Sequence, residues 1–125
     1  NTDWSLLLNA PIDVLSFDSF GYFESLRLYD RALAQYLDRG GWLAWGLVPT
    51  NEDFKPETAD TLWRRFQTQI TQLAEDVHRG LKEILAQSLL TPACGTGYMS
   101  QDDSRRVLIT LKELGVRGQE WLATL

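Results

Sequence analysis

Three short apolar runs, separated by long stretches of helical periodicity, constrain the fold of this chain more than any other feature. The runs cover residues 12–18, 42–48 and 88–91, and each is bounded by glycine, proline or polar residues. Strands that alternate with helices of this length are typical of parallel βαβ units with right-handed crossovers. The sequence therefore predicts an α/β fold that contains three parallel β/α units.

The segments between the runs carry apolar residues at helical spacing. The spacing predicts one helix over 24–38 and a second, longer helix from Thr58. A Ser-x-x-Asp pattern that begins at Ser100 is a typical helix start. We expect that last helix to end at Gly115 and to be followed by one more helical turn over 118–125.

The middle run, Trp42 to Val48, is apolar on both of its faces, which predicts burial on both faces. The chain also contains five Trp, four Tyr and five Phe, many large side chains for 125 residues. Each can bury roughly 150–250 Å². An open three-stranded layer is one architecture for this pattern. A slice of an eight-stranded β/α barrel fits the aromatic content better. The chain also begins at Asn1, close to the apolar run of residues 6–8, as we expect for a segment of a larger core.

The charge of the chain narrows the classes of partner. Twelve Lys and Arg stand against 17 Asp and Glu, a net charge of −5, whereas nucleic-acid binding depends on clustered basic residues. The apolar stretches are too short to span a bilayer, the sequence shows no secretory signal pattern, and its single cysteine cannot form an internal disulfide. We therefore predict a soluble, cytoplasmic protein with neither a nucleic-acid nor a membrane partner.

Candidate site residues lie at the carboxyl ends of all three predicted strands, where parallel α/β folds place their active sites. These candidates are Asp18 and Ser19 after the first strand, Thr50 and Asn51 after the second, and Cys94 and Gly95 after the third. The starts of the strands carry no comparably reactive side chain. The sequence therefore predicts a site at the carboxyl end of the sheet.

Cys94 and Asp18 each have two interpretations. A free cysteine is often a small buried hydrophobic residue, but the turn Pro92-Ala-Cys-Gly-Thr-Gly97 favours a thiol at the end of a strand. Asp18 is either a site residue or the cap of the following helix. His78 is the only histidine in the chain, and we expect it to lie near the end of the long helix, away from the site.

Three stretches, taken in order, resemble a known family. They are residues 12–18 (IDVLSFD), 40–50 (GGWLAWGLVPT) and 88–97 (SLLTPACGTG). They resemble the C-terminal part of a bacterial branch of the cobalamin-independent methionine synthase family, which shares its barrel fold with uroporphyrinogen decarboxylase. The resemblance covers nearly the whole chain. It implies a single partial domain over 1–125 that forms the last part of a (β/α)8 barrel of the TIM type.

The resemblance also implies zinc as the cofactor. The methionine synthases hold zinc with a His and a Cys from one strand, a carboxylate from the next and a Cys from the last. By motif, Cys94 matches the final Cys, and Asp18 lies near the carboxylate ligand, which the family usually supplies as Glu. The His-x-Cys pair lies outside these 125 residues, so we expect the chain alone to be inactive. The other carboxyl-end candidates, predicted on the substrate side, are Ser19, Thr50, Asn51 and Gly95.

The implied function is transfer of a methyl group to a small-molecule thiol in methionine biosynthesis. This activity resembles that of a 5-methyltetrahydropteroyltriglutamate–homocysteine S-methyltransferase, with a thiol and a methyl donor as partners. Two alternatives stay open. One is a decarboxylase-like or corrinoid-linked member of the same superfamily. The other is a non-catalytic α/β module whose open sheet edges form a homo-oligomer or pair with the missing part of the barrel.

Overall fold

A three-stranded parallel sheet organises the chain in a computed structural model that describes residues 3–125. The strands are β1 (Val14–Phe17), β2 (Trp42–Val48) and β3 (Ser88–Pro92). The helices are α1 (Trp4–Leu8), α2 (Ser19–Arg27), α3 (Asp30–Asp38), α4 (Ala59–Asp76), α5 (Leu81–Ala86) and α6 (Gln101–Thr124), with a 3-10 turn at Glu52–Phe54. The predicted α/β fold with three parallel strands is confirmed.

The strands follow one another across the sheet in chain order, β1-β2-β3. β1 pairs with β2 from Val14 opposite Trp42, and β2 pairs with β3 from Leu43 opposite Ser88. The second pairing is irregular between Gly46 and Val48. Right-handed crossovers that advance in one direction across a sheet place their helices on the same face. The strand order therefore predicts a helical layer on one face only.

The two faces of the sheet differ as this topology requires. On one face, Trp45 is fully buried, and its ring centroid lies 5.1 Å from that of Phe17, 5.9 Å from that of Phe23 in α2 and 5.2 Å from that of Phe66 in α4. On the other face Ala44 is buried, but the larger side chains are only partly covered. Val14, Trp42 and Leu89 there are 46%, 39% and 45% exposed. Leu43 to Val48 are buried as predicted, but the described helices leave the face that carries Trp42 open.

The predicted helix over 24–38 is instead two helices. α2 begins directly after Asp18, whose side chain caps it, and α3 begins again at Asp30. α2 packs against β2 while α3 packs against α1, and one straight helix could not reach both. The apolar residues keep helical spacing across the junction near Leu28, so periodicity alone does not reveal the break.

The prediction that the last helix ends at Gly115 is wrong, because α6 continues to Thr124. Its start is as predicted, since the Ser100 side chain accepts a hydrogen bond from the Asp103 amide at 3.1 Å. The helix continues because its apolar face extends past the glycine, and the Trp121 ring lies 5.5 Å from that of Trp63 in α4. Within residues 3–125, no helix has both the length and the hydropathy needed to cross a membrane.

Gly115 therefore lies inside a helix, and replacing it with alanine is expected to stabilise the chain. An added Cβ would meet nothing within 4 Å. The change removes the entropic cost of a helical glycine, roughly 0.5–1 kcal/mol, and urea unfolding monitored by circular dichroism measures it. Gly40→Ala is the contrasting variant, because its φ of 91° disfavours a side chain. An earlier unfolding midpoint for Gly115→Ala would contradict a continuous α6.

Candidate functional site

The three strand ends meet at one small cleft at the carboxyl end of the sheet. The cleft has a volume of about 100 Å³. Its polar lining comes from three separate connections and consists of Asp18, Thr50, Asn51, Asp53, Cys94 and Tyr98. Four of the six residues that the sequence singles out thus lie around one space.

Asp18 forms the wall after β1 and is half-buried. Its Oδ1 accepts a hydrogen bond from the Gly21 amide at 3.0 Å, which caps the first turn of α2. The capping interpretation of Asp18 is therefore confirmed. Oδ2 makes no hydrogen bond to any described residue, so this oxygen is free to accept one in the cleft.

Thr50 and Asn51 form the wall after β2. The Asn51 side chain accepts a hydrogen bond from the Asp53 amide at 3.0 Å and starts the 3-10 turn. Thr50 is buried, and its carbonyl oxygen accepts a hydrogen bond of 2.6 Å from the Tyr98 hydroxyl. Tyr98 belongs to the connection after β3, so this bond links two of the three walls of the cleft.

Cys94 forms the wall after β3, and its side chain is exposed. The interpretation of Cys94 as a small buried hydrophobic residue is therefore wrong. The preceding residue is fixed to the sheet, because the Ala93 amide donates to the carbonyl of Val48 at 2.9 Å. The thiol thus lies where the backbone leaves regular pairing, in the same cleft as the Asp18 carboxylate.

Ser19 and Gly95 lie outside the lining of the cleft. Gly95 is exposed, whereas Ser19 is fully buried, and its backbone carbonyl accepts a hydrogen bond from Gln69 Nε2 at 2.9 Å. The Ser19 hydroxyl has no hydrogen-bond partner among the described residues. Ser19 is the first residue of α2, the helix that Asp18 caps.

Gly46 in β2 allows the walls of the cleft to approach each other, a role that was not predicted. A Cβ on Gly46 would lie 2.6 Å from the carbonyl oxygen of Phe17, 3.0 Å from the Cα of Ala93 and 3.2 Å from the Cα of Asp18. Only a glycine leaves room for these backbone atoms. An isolated glycine inside an apolar strand is a known signal of such an approach, and it was present in the sequence.

The described residues do not form a complete zinc site. Among residues 3–125, no group of three or more His, Cys, Asp or Glu side chains is placed to hold a metal ion. A catalytic zinc needs at least three protein ligands. Cys94 and Asp18 share a cleft, but His78 is exposed, follows α4 and does not line it. Any zinc at this cleft would require ligands from elsewhere.

Hydrogen bonds from a buried tyrosine stabilise the amino end of the sheet. The buried Tyr36 hydroxyl lies 2.7 Å from the carbonyl oxygen of Trp42 and 3.1 Å from that of Asp13, so it ties β2 to the start of β1. Burial raises the pKa of Tyr36, which keeps the hydroxyl protonated as a donor. The two ends of the sheet therefore differ, with a tight tyrosine bridge at one and an open polar cleft at the other.

Comparisons of the chain with protein-family models, curated proteins and solved structures found no match. The resemblance to the methionine synthases therefore depends on the three sequence motifs alone, and membership of that family stays a prediction.

Proposed function

We propose that this chain is the three-unit C-terminal segment of a β/α-barrel methyltransferase. In this proposal Cys94 and Asp18 face the site where a small-molecule thiol accepts a methyl group. The observation that carries the proposal is the common cleft of these two side chains, which come from β1 and β3, opposite edges of the sheet. The three sequence motifs contribute the reaction class, and the geometry contributes the position of the two residues.

The uncovered sheet face supports a barrel. In a β/α barrel the helices lie outside and the inner face of the sheet packs against other strands. Here the helices cover one face, and the other presents Val14, Trp42 and Leu89 to solvent. β1 and β3 each pair with only one neighbour among the described residues. Further β/α units added at either edge would bury those apolar side chains in a barrel interior.

The chain's own contribution to the chemistry is a thiol and a carboxylate that line the same cleft. The Gly21 amide donates a hydrogen bond to Asp18 Oδ1, which fixes the side chain and leaves Oδ2 available to other partners. Asn51 and the Tyr98 hydroxyl add polar groups at the same cleft. Because a third metal ligand is missing from residues 3–125, no catalytic step is assigned to this chain alone.

The zinc content of the longest product of this gene tests the proposal. We expect about one zinc per protein, lost in Cys94→Ser, because a thiolate is a strong zinc ligand. Asp18→Asn should also weaken zinc binding, since it removes the carboxylate charge while an asparagine still caps α2. Gly97→Ala is the matched control, because Gly97 lies in the same connection but outside the cleft lining, and an added Cβ there meets nothing within 4 Å.

The same preparations should methylate a small thiol when a methyl donor is present. Activity that disappears in Cys94→Ser and survives in Gly97→Ala would support the proposal. Zinc in neither wild type nor variant, together with no thiol methylation, would contradict it. Cys94 would then be a surface thiol, and a decarboxylase-like or corrinoid-linked activity would be the better hypothesis.

A second candidate function is non-catalytic association through the sheet. The exposure of Val14, Trp42 and Leu89 next to two open strand edges favours it, because open edges recruit other strands. In this case Trp42→Ser would abolish self-association and Cys94→Ser would leave it unchanged. A solution mass that does not respond to Trp42→Ser would exclude this alternative.

A further inference from the structure

The outer face of α6 carries a short apolar stripe. Ile109 and Val116 are 54% and 46% exposed. They lie seven residues apart, which is about two helical turns, so they occupy the same side of the helix. The opposite side of α6 carries Val107 and Leu114, which are buried in the core. The stripe therefore points away from the sheet and would stay uncovered if further units joined either sheet edge.

Within about 50° of this stripe, the charged residues on each side have one sign. At 3.6 residues per turn, the flanking side chains lie about 30–50° to either side of the line from Ile109 to Val116. The basic flank consists of Arg105 and Lys112, and the acidic flank consists of Asp102, Glu113 and Glu120. All five are exposed. We call the stripe and its two flanks the α6 seam.

The charges of the α6 seam are not paired within the described chain. The ion pairs that α6 makes involve Arg106, 3.8 Å from Asp103, and Arg117, 2.6 Å from Asp60. Both arginines lie further round the helix than the acidic flank. None of the five flank residues takes part in an ion pair among residues 3–125. The two flanks are thus available to a partner with the complementary arrangement.

We infer that the α6 seam is a two-fold interface between two copies of this chain, with the two α6 helices parallel. A two-fold axis parallel to the helices places Ile109 and Val116 against the same residues of the partner. It also sets each basic flank against the partner's acidic flank, with Lys112 near the partner's Glu113 and Arg105 near the partner's Asp102. An antiparallel pair would set acidic against acidic and basic against basic, which is unfavourable.

The α6 seam is small, so the dimer should be weak and reversible. Two apolar layers bury less area than a standard stable interface, and solvent-exposed ion pairs add little free energy. The flanks mainly determine orientation, because like charges that face each other across an interface are unfavourable. We expect a monomer–dimer equilibrium with a dissociation constant of roughly 10 μM to 1 mM. The inference is independent of the proposed methyltransferase activity, because it concerns the opposite side of the helical layer.

Sedimentation equilibrium of the 125-residue chain, up to about 1 mM, tests this interface. Wild type should shift from monomer to dimer as its concentration rises. The double variant Ile109→Asp, Val116→Asp should stay monomeric, with dimerisation at least about tenfold weaker. Leu28→Asp is the matched control, because Leu28 is 80% exposed but lies outside the seam. Far-UV circular dichroism confirms that each variant folds.

Charge exchange tests the parallel orientation. Lys112→Glu should weaken the dimer severalfold, and Lys112→Glu with Glu113→Lys should restore it, because the exchanged pair is again complementary in a parallel dimer. In an antiparallel dimer Lys112 would face the partner's basic flank, so Lys112→Glu in both copies replaces a repulsion between positive charges with one between negative charges. The dissociation constant should then change little. The inference is overturned by a chain that stays monomeric throughout, or by a dimer that Ile109→Asp with Val116→Asp leaves intact. A dimer that does not respond to Lys112→Glu overturns the parallel orientation.

Discussion

Replacing Trp45 with alanine should reduce the free energy of unfolding by about 3–5 kcal/mol, the usual cost of removing a buried aromatic side chain. Trp45 is fully buried, and its ring packs against those of Phe17, Phe23 and Phe66. Its indole N–H also donates to Ser88 Oγ at 3.0 Å, which ties β2 to β3. The variant thus loses contacts to two strands and two helices together.

Trp42→Ala is the control, because it makes the same change in the same strand but on the uncovered face. Trp42 is 39% exposed and buries less area than Trp45, so its removal should cost clearly less, about 1–2 kcal/mol. Urea unfolding of wild type and both variants, monitored by circular dichroism, gives the comparison. If Trp42→Ala costs as much as Trp45→Ala, then the core does not lie on the helix-covered face alone. Such a result would indicate that the face carrying Trp42 is buried in solution, by a second copy or another chain.

The sheet was predictable because its strands leave strong local signals. The apolar run from Trp42 to Val48 coincides with β2, and the run from Ser88 matches β3 to within one residue. The break between α2 and α3 was not predictable in this way. Helical spacing continues through Leu28, and the break results from packing against two different elements, β2 and α1. The predicted end of the last helix at Gly115 was wrong for a related reason. The packing of Trp121 on Trp63 outweighs the low helix propensity of one glycine.

The candidate site was predictable where it depends on topology and not where it depends on loop packing. Parallel strands end at the same edge of a sheet, so residues that follow them, such as Asp18 and Cys94, meet in one cleft. Tyr98 was not predicted, because its contact with Thr50 depends on how the connection after β3 folds back. The uncovered sheet face was missed as well, since exposure depends on which units are present and not on the residues alone.

Gly46→Ala should have the second large effect, because it forces apart the backbones that form the cleft. The new Cβ would lie 2.6 Å from the carbonyl oxygen of Phe17, closer than nonbonded atoms approach, and 3.0 Å from the Cα of Ala93. Both contacts are to backbone atoms, so no side-chain rotation relieves them. We expect a loss of about 2–3 kcal/mol in the free energy of unfolding, within the range for overpacked sites.

The position of the clash also predicts where the damage occurs. In the folded fraction of Gly46→Ala, the amide chemical shifts of Asp18 and Ala93 should move, while those at the amino end near Tyr36 stay close to wild type. Gly97→Ala is the matched control, because an added Cβ there meets nothing within 4 Å. Its unfolding midpoint should be close to that of wild type.

If Gly46→Ala is as stable as wild type, then the ends of β1 and β3 are too far apart for these contacts, and Asp18 and Cys94 do not share a cleft. Zinc binding that survives Gly46→Ala but not Cys94→Ser would instead show that the site tolerates wider walls.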